Sequence, residues 1–185
     1  MKINVRIKEL RKEKGYTLEK LAGLTGFTKG YLSKIERSTK TPPFATVQTI
    51  ADALQIDITV LLDKNSGNAG SKNIDILMGS ADGLEEMEEI SPVYSFIPLV
   101  NNYKNKYMTP FLFEVKKGMT DVATHDSEEF VYVLEGELEL NYEGHTYKLC
   151  KGDSFYLDAR IKHNFVNKHE KTASLIAVHF NYRRF

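Results

Sequence analysis

His125, Glu129 and His163 are the residues of this chain whose types and spacing suit metal or polar-ligand chemistry. The first two lie in THDSEEFVYVLEG, residues 124–136, where an acidic cluster beside a histidine runs into an apolar strand that Gly136 ends. Side chains alternate between the faces of a strand, so Glu129 shares its face with Val131 and Val133 and points inward. In a later strand His163 and Phe165 share a face, with Asn167 beyond. A carboxylate held inside is costly unless it meets a cation or hydrogen-bond donors. Two imidazoles and one carboxylate suit non-heme Fe(II) with open positions, and they suit zinc or manganese too. The same three residues can instead hydrogen-bond one another in a dry cup, and spacing alone leaves both readings open. Tyr156 and Arg160 are reasonable further contacts for an anionic effector. The expected pocket is therefore His125, Glu129, Tyr156, Arg160 and His163.

Such side chains need a rigid frame. Runs rich in Val, Tyr, Phe and Leu predict strands near 93–98, 107–116, 129–135, 137–142, 145–150, 153–157, 163–168 and 173–182, with hairpin signals at YEGH and KGD. Many short, evenly spaced strands predict a closed barrel or a double-sheet jelly roll, which also disposes of exposed strand edges. The aromatics Phe111, Phe113, Phe155, Tyr156 and Phe165 are expected mostly in the core. His145, His169 and His179 are expected at hairpins or on the surface, and Cys150 as a small buried hydrophobe. Residues 74–91 fit either a strand leading into the barrel or a short acidic helix.

Ahead of the strands the periodicity is helical. Ile7 and Leu10 share a face that Gly15 closes, and Thr17 and Thr28 are the expected N-caps of the next two helices. A fourth helix follows Pro42 and Pro43, with Val47, Ile50, Ala51 and Leu54 inside, and a short fifth carries Ile58, Leu61 and Leu62. Residues 1–62 hold eleven Lys/Arg and six Asp/Glu, whereas residues 65–185 hold thirteen and eighteen. The zero net charge therefore sums a basic first third and an acidic remainder, and only the first part is suited to a polyanion. Between them DKNSGNAGSKN, residues 63–73, is too poor in apolar side chains to order itself and reads as a flexible linker. The single cysteine rules out an intrachain disulfide, no apolar run reaches the ~18–20 residues of a membrane span, and no signal h-region is present, so a cytoplasmic protein is expected.

Two short helices on either side of the tight LTGF turn, the second opening with small and basic residues, are the arrangement that sets one helix into a DNA major groove. The stretch TLEKLAGLTGFTKGYLSKIERSTKTPPFATVQTIADAL resembles the helix-turn-helix of the XRE, or phage-repressor-like, family over roughly residues 5–62. That resemblance implies a five-helix, lambda-repressor-like domain with residues 28–37 as recognition helix. It places Lys29, Gly30 and Lys34 at base-reading positions beside Thr28 and Tyr31. Thr17, Arg37, Lys40 and Thr41 fall where the family approaches phosphates. Leu18 stands where many members carry a glutamine. The family's structural pair of a helix 1 arginine and a helix 3 glutamate is represented by Arg11 and Glu36.

The strand region is similar to the cupin family across roughly residues 107–182. Gly118, His125, Glu129 and Gly136 match its first motif, except that the position of the first histidine holds Ala123. Gly152, His163 and Asn167 represent the second, with Asp158 and Arg160 in place of its usual Pro and Gly. The expected fold class is thus multidomain α + β, with a helix-turn-helix domain (1–62), a linker (63–73) and a cupin jelly-roll barrel (74–185) for sensing and dimerisation. The expected function is a sequence-specific transcriptional regulator whose partners are double-stranded DNA, a small-molecule effector and a second copy of itself. A few fused proteins of this type resemble the chain but are iron-dependent oxygenases or epoxidases that use His-x3-Glu and a later His. Under that alternative His125, Glu129 and His163 hold one divalent ion, Fe, Zn or Mn, and the missing histidine is expected.

Overall fold

The computed structural model describes residues 2–62, 88–100, 103 and 106–182. The segment 63–73 and the ambiguous stretch up to residue 87 lie outside the described residues. Five helices come first: α1 (Ile3–Glu13), α2 (Leu18–Thr25), α3 (Lys29–Arg37), α4 (Phe44–Leu54) and α5 (Ile58–Leu62). The Thr17 and Thr28 hydroxyls accept the backbone N–H of Lys20 and Tyr31, each at 3.1 Å, which caps α2 and α3 as their types predict. Gly26, with φ +73°, ends α2 in the left-handed conformation that makes the tight turn. Ile7, Leu21, Leu32, Val47, Ile50 and Leu54 fill the core between the helices. Across it, Arg11 donates to both oxygens of Glu36 at 2.5 and 2.9 Å and to the Tyr16 carbonyl at 2.7 Å. Both ends of the pair are largely buried, so it fixes the angle at which α3 is presented.

Ten strands follow: β1 (Glu88–Ser91), β2 (Tyr94–Pro98), β3 (Met108–Val115), β4 (Gly118–Met119), β5 (Ser127–Glu135), β6 (Glu137–Tyr142), β7 (His145–Cys150), β8 (Ser154–Asp158), β9 (His163–Asn167) and β10 (Ala173–Asn181). A six-stranded sheet in the order β1-β2-β3-β10-β5-β8 faces a four-stranded one in the order β4-β9-β6-β7. Positive φ at Glu143 (52°) and Gly144 (77°) makes the two-residue β6–β7 hairpin. Gly136, at φ +84°, lies so close to the next strand that a Cβ there would sit 2.8 Å from the Ala173 Cα, so one glycine of the barrel motif is explained by packing. Asn167 is likewise a structural member of its motif. It is buried and donates to the carbonyls of Val115 and Lys171, both at 2.9 Å.

Two side chains expected in the core lie on the barrel surface. Cys150 is exposed, because β7 is an edge strand whose side chains mostly face outward. Tyr156 is 63 % exposed, because alternation along β8 turns Leu157 inward and Tyr156 out.

Among the described residues, Phe44 and Lys106 both join the helical domain to the barrel. Phe44, the first residue of α4, leaves the helical core and buries its ring among Phe96, Phe111 and Phe113 of the barrel, edge-on with centroids 5.0, 5.3 and 5.6 Å away. Lys106, buried on the strand side, reaches Asp57 at 3.0 Å and the Thr59 hydroxyl at 2.9 Å, ahead of and within α5.

Candidate functional site

Glu129 sits on β5 with its carboxylate 4 % exposed and facing into the barrel, as the alternation with Val131 and Val133 predicts. His125 approaches from just before the same strand, with Nε2 2.6 Å from Glu129 Oε1 and Nδ1 2.8 Å from the Ser127 hydroxyl. His163 approaches from β9, with Nε2 3.8 Å from the same oxygen. Its Nδ1 lies 2.8 Å from the Ile161 carbonyl, a partner that only accepts, so Nδ1 carries a proton and Nε2 is the nitrogen turned toward Glu129.

His179 completes the cluster and corrects the expectation that it lies at the surface. It is 2 % exposed, its Nε2 is 3.4 Å from Glu129 Oε1, and its ring stacks on His125 at 5.1 Å. The cause is register: β10 runs between β3 and β5, and His179 is the direct cross-strand partner of Glu129. Both faces of β10 are apolar, Leu175 and Ala177 on one and Ile176, Val178 and Phe180 on the other, so its inward phase cannot be read from composition. A usable signal was nevertheless present: the face ending in His179 and Asn181 is the one carrying polar groups, as in the strands of Glu129 and His163. Ala123, where the family motif has a histidine, bridges His163 backbone to backbone and lines the cup without a polar side chain.

Burial works against ionising Glu129, but the surrounding imidazoles of His179, His125 and His163 more than offset it and hold the carboxyl below the ordinary carboxylate range. Burial pushes the His179 imidazolium down to about 4 despite the pull of Glu129. At neutral pH the cluster is one carboxylate facing a neutral His179. His125, Glu129 and His179 present ligand atoms within 4.8 Å of one another. This donor chemistry fits a divalent transition ion, since imidazole nitrogens and a carboxylate oxygen, ligand types such an ion takes, converge here. His163 also donates its other ring nitrogen to a backbone carbonyl, as metal-binding histidines commonly do.

A cavity of about 180 Å³ opens above the cluster. The barrel supplies Tyr94, Phe113 and Asn164 among its walls, and the helical domain supplies Pro43, Phe44, Ala45 and Thr46. Tyr156 and Arg160 do not reach it. Arg160 is exposed and held outside by Asp158 at 2.6 Å, while Tyr156 joins the outer face of the sheet. His145 and His169 are exposed, as expected.

On the helical domain, Thr17, Thr28, Lys29, Gly30, Tyr31, Lys34, Arg37 and Lys40 are all exposed, with Thr41 half-buried beside them. The Thr17 and Thr28 side chains are engaged as caps, and Arg37 folds back on the Ser33 carbonyl at 3.1 Å. Lys29 pairs with Glu19 across the helix-turn-helix, an acidic neighbour that sequence reading did not weigh. The Tyr31 hydroxyl lies 3.4 Å from the Thr46 hydroxyl, which ties the exposed helix to the start of α4.

Residues 7–61 match the family model described as helix-turn-helix, and residues 111–179 match the cupin domain. The chain is 25 % identical over 179 residues to the HTH-type transcriptional regulator PuuR of Escherichia coli, covering 94 % of this chain and 92 % of that one. The structure of an HTH_3 family transcriptional regulator from Vibrio cholerae superposes with a TM-score of 0.73 at 20 % identity, over 98 % of this chain and 96 % of the other. The hydroxypropylphosphonic acid epoxidase of S. wedmorenis aligns over 96 % of each chain at 23 % identity, with a TM-score of 0.49 that is too low to carry chemistry across.

Proposed function

For a chain that belongs to the helix-turn-helix transcriptional regulators carrying a cupin domain, we propose that α3 reads an operator while the barrel senses a small ligand and forms the dimer. The observation that carries this reading is the exposed face of α3. Lys29 and Lys34 stand free of the core beside Gly30, on a helix capped by Thr28 and fixed by the Arg11–Glu36 pair. A lysine there can donate to guanine O6 and N7 in the major groove, and the nearby Arg37, Lys40 and Thr41 suit phosphate contacts. A single helix-turn-helix makes a small interface, and two copies about one DNA turn, ~34 Å, apart read a paired site.

The second copy is best accommodated on the outer face of the six-stranded sheet. Pro110, Val178, Phe130 and Tyr156 form one continuous row across four strands, and Leu112, Ile176 and Tyr132 lie in the next. Phe130, Tyr132 and Tyr156 are 41, 40 and 63 % exposed, an apolar surface of the kind that marks an interaction site.

Inside the barrel His125, Glu129, His163 and His179 would hold one divalent ion, which when bound supplies a positive charge and open coordination positions. The relatives' naming as regulators and the basic reading face favour a sensing role over the oxygenase alternative. Selection of bound duplexes from a random pool by the full chain tests the DNA reading. One sequence should be enriched, and Lys34→Ala should lose ~1–3 kcal/mol on it and relax its preference at one base pair. Equal binding of all duplexes by both proteins would defeat it.

A further inference from the structure

What covers the imidazole cluster is the feature that the proposed function leaves unexplained. His125, Glu129, His163 and His179 are all buried, and part of their cover comes from the other domain. The Phe44 ring stands edge-on to His179 and His125, with centroids 5.1 and 6.2 Å away. Pro43, Ala45 and Thr46 continue the same wall of the cavity. The cup is thus walled by the start of a helix that belongs to the DNA-binding domain. Lys106, which does not line the cavity, holds the same arrangement through Asp57 at 3.0 Å and the Thr59 hydroxyl at 2.9 Å.

We propose that the DNA-binding domain is itself the lid of the cup, with Phe44 as its latch, so that loading the cup and docking the helical domain oppose each other. This rests on the metal reading above. With an ion on the cluster, Phe44 packs an apolar ring against the water that fills the open coordination positions, and stripping that water is costly. Loading therefore favours molecules in which Phe44 has left the barrel, and docking weakens ion binding by the same factor. Size acts in the same direction. The 180 Å³ left beneath the docked helix is close to the ~150 Å³ that takes a benzene-sized molecule, so a larger guest has to lift the lid. Access follows too, because ions that enter through undocked molecules are taken up in proportion to the undocked fraction. An empty cup fixes the reading helix relative to the barrel, and a filled one releases it.

The test joins zinc uptake to a distance measurement on the full chain. Uptake of Zn(II) from a chromophoric chelator is timed in wild type, Phe44→Ala and Lys106→Met. Lys106→Met loosens docking from outside the cavity, and Asp57 keeps its bonds from the Thr59 N–H and hydroxyl there. A change shared by both variants therefore reports docking and not local packing around the cluster. The proposal expects uptake to quicken roughly a hundredfold in Phe44→Ala and at least roughly tenfold in Lys106→Met. The second measurement needs neither docking variant. Dipolar distances between spin labels on Cys150 and Lys12→Cys, in a chain otherwise wild type, should be narrow without metal and broaden on zinc loading. Equal uptake rates in the three proteins, or a narrow distance that survives zinc loading, would overturn this inference and leave the metal reading standing. Failure of all three proteins to bind zinc would overturn both.

Discussion

Phe44→Ala is the substitution whose consequence follows most directly from the packing. The ring is 6 % exposed, and its neighbours Phe96, Phe111 and Phe113 belong to the barrel, not to its own helical domain. Burying a phenylalanine side chain contributes ~1.5–3 kcal/mol. Each edge-on aromatic pair adds ~0.5–1.5 kcal/mol. Truncation of such a residue costs ~3–5 kcal/mol when the site cannot collapse. Since the contacts cross between domains, most of that cost falls on docking and little on either fold. Even ~3 kcal/mol lowers the ratio of docked to undocked molecules about a hundredfold. Spin labels on the exposed native Cys150 and on Lys12→Cys, in chains diluted with unlabelled protein, read the arrangement by dipolar spectroscopy. Wild type should give one narrow distance and Phe44→Ala a broad distribution, with both proteins retaining the same helix and strand content. An equally narrow distance in the variant would refute the reasoning.

Four further outcomes are expected. Arg11→Met strands the buried Glu36 carboxylate and should cost the helical domain ~3–5 kcal/mol in urea unfolding. Phe130→Glu, on the outer sheet face, should turn the proposed dimer into a monomer by light scattering without disturbing the cup. Glu19→Gln frees Lys29 and removes a negative charge from the reading face, so DNA affinity should rise at low salt, while Lys40→Ala should reduce the slope of log K against log salt by ~0.9.

Much of this was legible in the sequence for physical reasons. Thr17 and Thr28 reveal helix starts because only a short oxygen-bearing side chain can reach the free N–H groups. Val131 and Val133 fix the phase of β5 because its two faces differ in polarity, and that phase points Glu129 inward. His179 escaped because both phases of β10 are apolar, so only its polar end residues hint at the inward face, and the pairing with β5 settles it. Arg160 and Tyr156 were misplaced by nearness in sequence to His163, whereas one is drawn off by Asp158 and the other faces outward by alternation. Phe44 could not have been found from the helical pattern, since 44, 47, 51 and 54 share one helical stripe. Only the three-dimensional arrangement shows that the stripe outruns its own domain and ends in the barrel.

The central claim is that the contents of the cup are read by the DNA-binding domain, and operator affinity tests it most directly. The same selected duplex would be titrated with wild type and Phe44→Ala, each without metal and with Zn(II). The account predicts a change of roughly five- to 150-fold on loading wild type, the range of ordinary coupling between sites, and a much smaller change in the variant. Identical affinities for loaded and unloaded wild type would contradict it.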